Sequence, residues 1–60
     1  MYLREKFAAC KTITELAAAH AEELNANAEA WYDGKISWDE YVEADAQVDR
    51  IYTEFKEYFK

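Results

Sequence analysis

With one glycine and no proline in sixty residues, this chain has a single obvious place to reverse direction. Gly34 sits in the run Asp33-Gly34-Lys35-Ile36-Ser37-Trp38-Asp39-Glu40-Tyr41, where the end of a helix calls for a residue that tolerates positive φ. Ser37 and Glu40 have the spacing of a capping box, in which each side chain satisfies a backbone N–H left open at the start of the next helix. Ile36 and Tyr41 fall at the N′ and N4 positions of a hydrophobic staple. Four independent signals agree on one helix ending and another beginning, and they predict a helical hairpin.

The length limits what that hairpin can be. Sixty residues make one domain, residues 1–60, and a chain this short buries only about 60% of its unfolded surface. Small folds usually gain support from disulfides, a metal or self-association. Cys10 is the only cysteine, so one chain can form neither a disulfide nor a thiolate cluster, and self-association is the expected support. Ten aromatic side chains are more than one hairpin buries comfortably, which points the same way.

Three helices are expected. Leu3, Phe7 and Cys10 recur at helical intervals and predict a short helix over about 2–10. Thr12 and Glu15 repeat the capping-box spacing, which places a break near Lys11; the rival is one continuous helix over 2–32, because the spacing runs on through Ile13. The second helix, about 13–32, sets Ile13, Leu16 or Ala17, His20, Leu24, Ala28 and Trp31 along one side. Its alanines favour helix and allow close approach, while Asn25 and Asn27 are poor formers where a kink is expected.

The last helix, about 38–59, has the clearest pattern. Tyr41, Ala44, Val48, Ile51, Phe55 and Tyr58 alternate steps of three and four, as a coiled-coil seam does. Trp38, Tyr52 and Phe59 widen that face. No period-2 pattern occurs, so the fold class is all-α: a helical hairpin with a short N-terminal helix, dimerising into a helical bundle. The large side chains of the last helix complement the alanines of the middle one. Trp38, Tyr52, Phe55, Tyr58 and Phe59 are the expected apolar face for a second copy or a partner.

Charge narrows the choice of partner. The net charge is −6, but residues 12–49 hold ten acids against Lys35 alone, while both ends are mildly basic. Such a surface repels nucleic acid and favours basic proteins, so direct nucleic-acid binding is not expected. The opening residues Met1 to Lys6 lack the apolar run of a signal peptide. No stretch nears the roughly 18 apolar residues that read as a membrane span. A soluble, cytoplasmic location follows, in a cell or an infected host.

Several residues invite a more specific chemistry. The turn resembles the second half of an EF-hand calcium loop, with Gly34 at the sixth position, Ser37 at the ninth and Glu40 at the twelfth. The first position is then Glu29, and the third is Trp31, which has no oxygen to offer a cation that takes six to eight. Helix capping accounts for the same residues without a metal; a degenerate calcium-responsive module is the alternative. His20, the only histidine, lies near Glu15 and Glu23 and could supply half of a dimer-completed metal site, although a partly buried histidine with one hydrogen bond is the commoner arrangement. No metal and no cofactor are expected. Ser37, the only serine, is taken by capping, and Cys10 and His20 lack a third group to orient a base. The chain is too small to enclose a dry pocket, so an enzyme is not expected.

The segment Cys10-Lys11-Thr12-Ile13 with Leu16 resembles the Cys-x-Thr-Ile-x-x-Leu stretch of the Hha/YmoA family of small helical transcription modulators. The likeness spans seven residues, 10–16. Ala8 and Ala9 stand where that family has basic residues, and the Gly34 hairpin has no counterpart. The resemblance implies no transferable function.

The carboxylates form the remaining pattern. Glu15, Glu22 and Glu29 are spaced by seven and Asp33 follows by four, so they form a stripe along one helix face; Asp39 and Glu43 begin a second row beyond the turn. Residues four apart lie ~6 Å apart along a helix axis, on the scale of phosphate spacing along a strand. The plainer role of such acids is to keep an aromatic-rich surface soluble. The expected function is a small acidic, non-enzymatic protein-binding module. It would be an inhibitor or regulator, for example phage-encoded, that blocks a nucleic-acid-binding or defence protein partly by nucleic-acid mimicry. A structural dimerisation or assembly adaptor working through the aromatic face is the other reading.

Overall fold

A computed structural model of the protein describes residues 2–59. Three helices, α1 (Tyr2–Ala8), α2 (Ile13–Tyr32) and α3 (Trp38–Lys56), are followed by a 3-10 turn over Glu57–Phe59, and no strand occurs among the described residues. The break near Lys11 is present, so α1 and α2 are separate helices. α1 is shorter than expected: Cys10 N–H donates to the Phe7 carbonyl, a tightened i−3 bond of the kind that ends a helix. The final turn likewise tightens to 3-10, so the last α-helix stops at Lys56. Asn25 and Asn27 lie within an unbroken α2.

The helix ends show why the chain folds at these points. Thr12, extended at φ −132° and ψ 161°, accepts from Glu15 N–H at 3.1 Å. The Glu15 carboxylate reaches back one residue further than a standard box, accepting from Lys11 N–H at 2.7 Å. At the other end of α2, Gly34 adopts φ +77°. Its N–H donates to Trp31 O at 3.0 Å, and Lys35 N–H donates to Ala30 O at 2.8 Å. This nested pair is a Schellman motif, which satisfies carbonyls that the helix leaves open. Three residues later the capping box closes in both directions: Glu40 N–H donates to Ser37 Oγ at 3.2 Å and Ser37 N–H to Glu40 Oε1 at 2.8 Å.

α2 and α3 pack along each other, and α1 rests mainly on α3 and less on α2. The core is Phe7, Leu16, Ala19, Val48 and Ile51. Leu3, Cys10, Leu24, Tyr52, Phe55 and Phe59 pack around it, each partly buried. Of the two residues offered by the spacing, Leu16 points inward and Ala17 is exposed. Ala19 shares the inner face, a small side chain opposite a helix that contributes Val48 and Ile51. Burying a side chain such as Phe7, Leu16, Val48 or Ile51 contributes about 1.5–3 kcal/mol each. Ile13 and Trp31, at the two ends of α2, lie outside this core and are more than two-fifths exposed.

Candidate functional site

Helix lengths decide which part of the hairpin is covered. α1 has seven residues and α2 has twenty, which at 1.5 Å per residue is about 10 Å against about 30 Å. α1 spends its length beside the end of the hairpin remote from the turn. Lys6 meets Glu23 at 2.9 Å, Arg4 meets Glu54 at 2.6 Å, and the Phe7 ring stands edge-on to Phe55 at 6.3 Å. Beyond Glu23 no α1 side chain caps the hairpin through a hydrogen bond, ion pair or ring contact among the described residues.

The turn end is accordingly rich in uncovered rings. Trp31 is 41% exposed, Trp38 56%, Val42 49% and Tyr32 86%. Two of these aromatics gather with Tyr41, which is half-buried: Trp31 stacks on Tyr41 at 5.4 Å and 16°, and Trp38 meets Trp31 edge-on at 5.1 Å. Trp38 also leans on Tyr41 at 5.4 Å. Centroids this close leave no slot between the rings, so the cluster is a raised surface and not a cage. Val42 follows Trp38 by four residues and so lies beside it on the same helix face.

The predicted apolar face therefore divides in two. Trp38 is exposed at the turn. Tyr52, Phe55 and Phe59 pack against the protein's own core. Tyr52 stacks on the His20 ring at 4.1 Å and 17°, and Phe55 meets Phe7. Tyr58 is 78% exposed and lines a shallow cleft with Arg4, Glu54, Phe55 and Glu57. Trp31, Tyr41 and Val42 were absent from the predicted surface. Their signal in the sequence was the disparity in helix length, which leaves any rings beside Gly34 without a third helix.

Glu15, Glu22, Glu29, Asp33, Asp39 and Glu43 are all exposed. With Leu16 and Ala19 marking the inner face of α2 and Val48 and Ile51 that of α3, a turn of 100° per residue sets Glu15, Glu22 and Glu29 along one flank of α2, Glu43 on a flank of α3 and Asp39 on the back of α3. Glu15 is engaged at the α2 cap, and Glu22 lies 3.9 Å from Lys6. Among the described residues Glu29, Asp33, Asp39 and Glu43 form no ion pair.

Among the described residues three groups have shifted acidities. The hydrogen bond from Lys6 to Glu23 holds the ammonium above its usual value against the opposing effect of burial, and the charges of Glu23 and Glu22 add to it. The Glu40 carboxyl is lowered by the backbone and hydroxyl hydrogen bonds of Ser37. The Tyr41 phenol is raised, chiefly because the nearby Asp45 carboxylate disfavours a phenolate, with burial and a hydrogen bond to Asp45 adding. Asp45 also accepts from Asn27 Nδ2 at 3.1 Å, a polar tie between α2 and α3. A second tie is His20 Nε2 to Asp49 at 2.7 Å.

Ser37 and Glu40, the two oxygen donors that the calcium-loop likeness needs, are joined to each other's backbone in the capping box. Among the described residues no three His, Cys, Asp or Glu side chains converge as a metal site would require, and no helix is long and apolar enough to cross a membrane. No protein-family model matches the chain, and neither a curated protein nor a solved structure does.

Proposed function

We propose that the chain is a small acidic protein-binding module without enzymatic activity, an inhibitor or regulator that covers a basic surface of its target. The observation that carries this reading is the uncovered Trp31–Trp38–Tyr41 cluster within a stretch whose carboxylates outnumber its single lysine. Exposed aromatics concentrated on a small protein mark an interaction site, and tryptophan and tyrosine are favoured anchors there. A nucleic-acid-binding or defence protein, encoded by a host that a phage infects, has the basic surface such a module would cover. The exposed Glu29, Asp33, Asp39 and Glu43, which form no ion pair among the described residues, support a partial imitation of phosphate.

Affinity capture from the lysate of the organism that carries the chain tests this reading. Bound protein should be basic, should be lost as ionic strength rises, and should be lost when Glu29, Asp33 and Asp39 are reversed to lysine. Capture indifferent to both salt and charge reversal rejects it. The same exposed rings favour a second reading, a homodimer or assembly adaptor that buries Trp31, Trp38 and Val42 between copies. Light scattering decides that one: a mass of twice 7.1 kDa at micromolar concentration supports it, and a constant 7.1 kDa rejects it.

A further inference from the structure

We infer that the Trp31–Trp38–Val42 surface is a docking site for an arginine-bearing segment of a partner protein, read by a guanidinium lying on the Trp38 indole while the acidic residues around the turn hold the segment. The inference rests on the protein-binding reading above and adds the place and the chemistry.

The argument starts from the α3 register. Asp39, Val42 and Asp45 are three residues apart and form one row. Trp38 lies one turn before Val42, and it is Val42 that the two carboxylates flank; Asp39 is exposed, while Asp45 is tied to Asn27. Trp38 is more than half exposed, and its ring is propped from behind by Trp31 and Tyr41, which fixes it at little further cost in side-chain freedom. Tyr41 is also the ring whose phenol is raised by Asp45, so that carboxylate's field already reaches the cluster. A flat cation suits an indole face beside fixed anions better than a compact one, because guanidinium both stacks on the ring and forks onto a carboxylate.

Charge separates this occupant from a second copy. Residues 29–45 contain Glu29, Asp33, Asp39, Glu40, Glu43 and Asp45 against Lys35. Two copies joined at this end would set six carboxylates against six across the contact. A basic segment neutralises them instead.

The test uses the full chain, whose only two tryptophans both lie in the site and report occupancy by their fluorescence. The probes are a synthetic peptide with arginine at every third position and alanine elsewhere, and the same peptide with lysine. The arginine peptide should change tryptophan emission saturably and bind about two- to fivefold more tightly than the lysine peptide, the margin of one exposed cation–π contact. In Trp38→Leu, which keeps an apolar side chain without a π face, that preference should vanish while circular dichroism still reports a folded helix. Asp39→Asn should weaken both peptides while the helical circular dichroism is unchanged.

Equal binding of both peptides, unchanged in Trp38→Leu, overturns the inference and leaves the acidic protein-binding reading standing. Binding of neither peptide at low salt overturns both. A mass that doubles with concentration in the native chain and not in Trp38→Leu assigns the surface to a second copy and overturns the inference.

Discussion

The two ends of the hairpin are built from the same two helices, yet a third helix rests on one and not on the other, although Tyr2 and Tyr58 stay exposed even at the covered end. At the end remote from the turn, α1 lays Phe7 over Leu16, Val48 and Ile51, and Tyr52, Phe55 and Phe59 close around them. At the turn, Trp31, Trp38 and Val42 have no third helix above them and stay exposed. The difference is one of helix length, because ~10 Å of α1 cannot cover ~30 Å of α2. A surplus of aromatic residues is therefore not by itself an exposed surface. Position along the hairpin decides which rings stabilise the fold and which remain available to a partner.

Truncations at the two ends should separate most sharply. Leu16→Ala at the closed end should cost about 2–5 kcal/mol, comparable with the 3–5 kcal/mol that a core in so small a protein supplies (roughly); loss of helical circular dichroism at 25 °C is the expected result. A well-folded Leu16→Ala chain would show that stability does not reside at that end. Gly34→Ala comes next. A Cβ there meets nothing within 4 Å, so the cost is that of φ +77° alone, about 1–2 kcal/mol for an L-residue in the left-handed region. Denaturant unfolding measures it, and a neutral result would mean that the turn had rearranged.

Ser37→Ala removes one half of the α3 capping box and should cost about 1 kcal/mol, read from the same denaturation curves. Trp38→Ala should cost about 1 kcal/mol or less, because the ring is mostly in water and only its edge contacts with Trp31 and Tyr41 are lost. A loss as large as that of Leu16→Ala would erase the distinction between the two ends.

The smallest effects are expected from pH. Lys6 holds its proton more tightly when folded, so its contribution is fully present below the unfolded lysine value of ~10.4 and disappears as the pH rises through the raised folded value. Tyr41 acts in the same direction, since its phenol stays protonated in the fold after an unfolded tyrosine has begun to ionise near ~10. Glu40 is lowered, so its contribution is present above the unfolded glutamate value of ~4.3 and is lost as the pH falls through the folded one. Thermal melts across this range should show a plateau with shallow losses at both extremes. In Lys6→Met the alkaline loss should shrink, with the closed end responsible for that part; in Tyr41→Phe the remainder should shrink, with the turn end responsible.

Much of the fold was legible before any coordinates. The Schellman turn, the Ser37–Glu40 box and the Thr12 cap are local chemistry, decided within four or five residues, and each stands where its residues predict. The α3 seam was legible too, because Val48 and Ile51 are flanked by larger apolar residues at helical spacing. The α2 seam was less so. Alanine occupies its inner and outer faces alike, so Ala17 and Ala19 look equivalent until a neighbouring helix covers one of them.

The candidate surfaces were legible only as residue types. That acids and aromatics are in excess follows from composition, but their grouping is a long-range matter. Tyr52, Phe55 and Phe59 were read with Trp38 as one face, and the structure separates them: Phe55 meets Phe7 of α1, Tyr52 stacks on His20 of α2, and Phe59 packs against the core. Lys6–Glu23, the ion pair with the more sheltered carboxylate, joins residues 17 apart and had no local sign at all.

Sequence alone determined where α2 ends, where α3 begins and that the chain turns between them, because capping and the positive φ at Gly34 involve neighbouring backbone groups whatever the rest of the protein does. Tertiary structure alone decided which end of the hairpin is covered, since that depends on where a seven-residue helix comes to rest. Trp38 is left in water for that reason: nothing in its own neighbourhood hides or exposes it, and the helix that would have covered it is too short to reach.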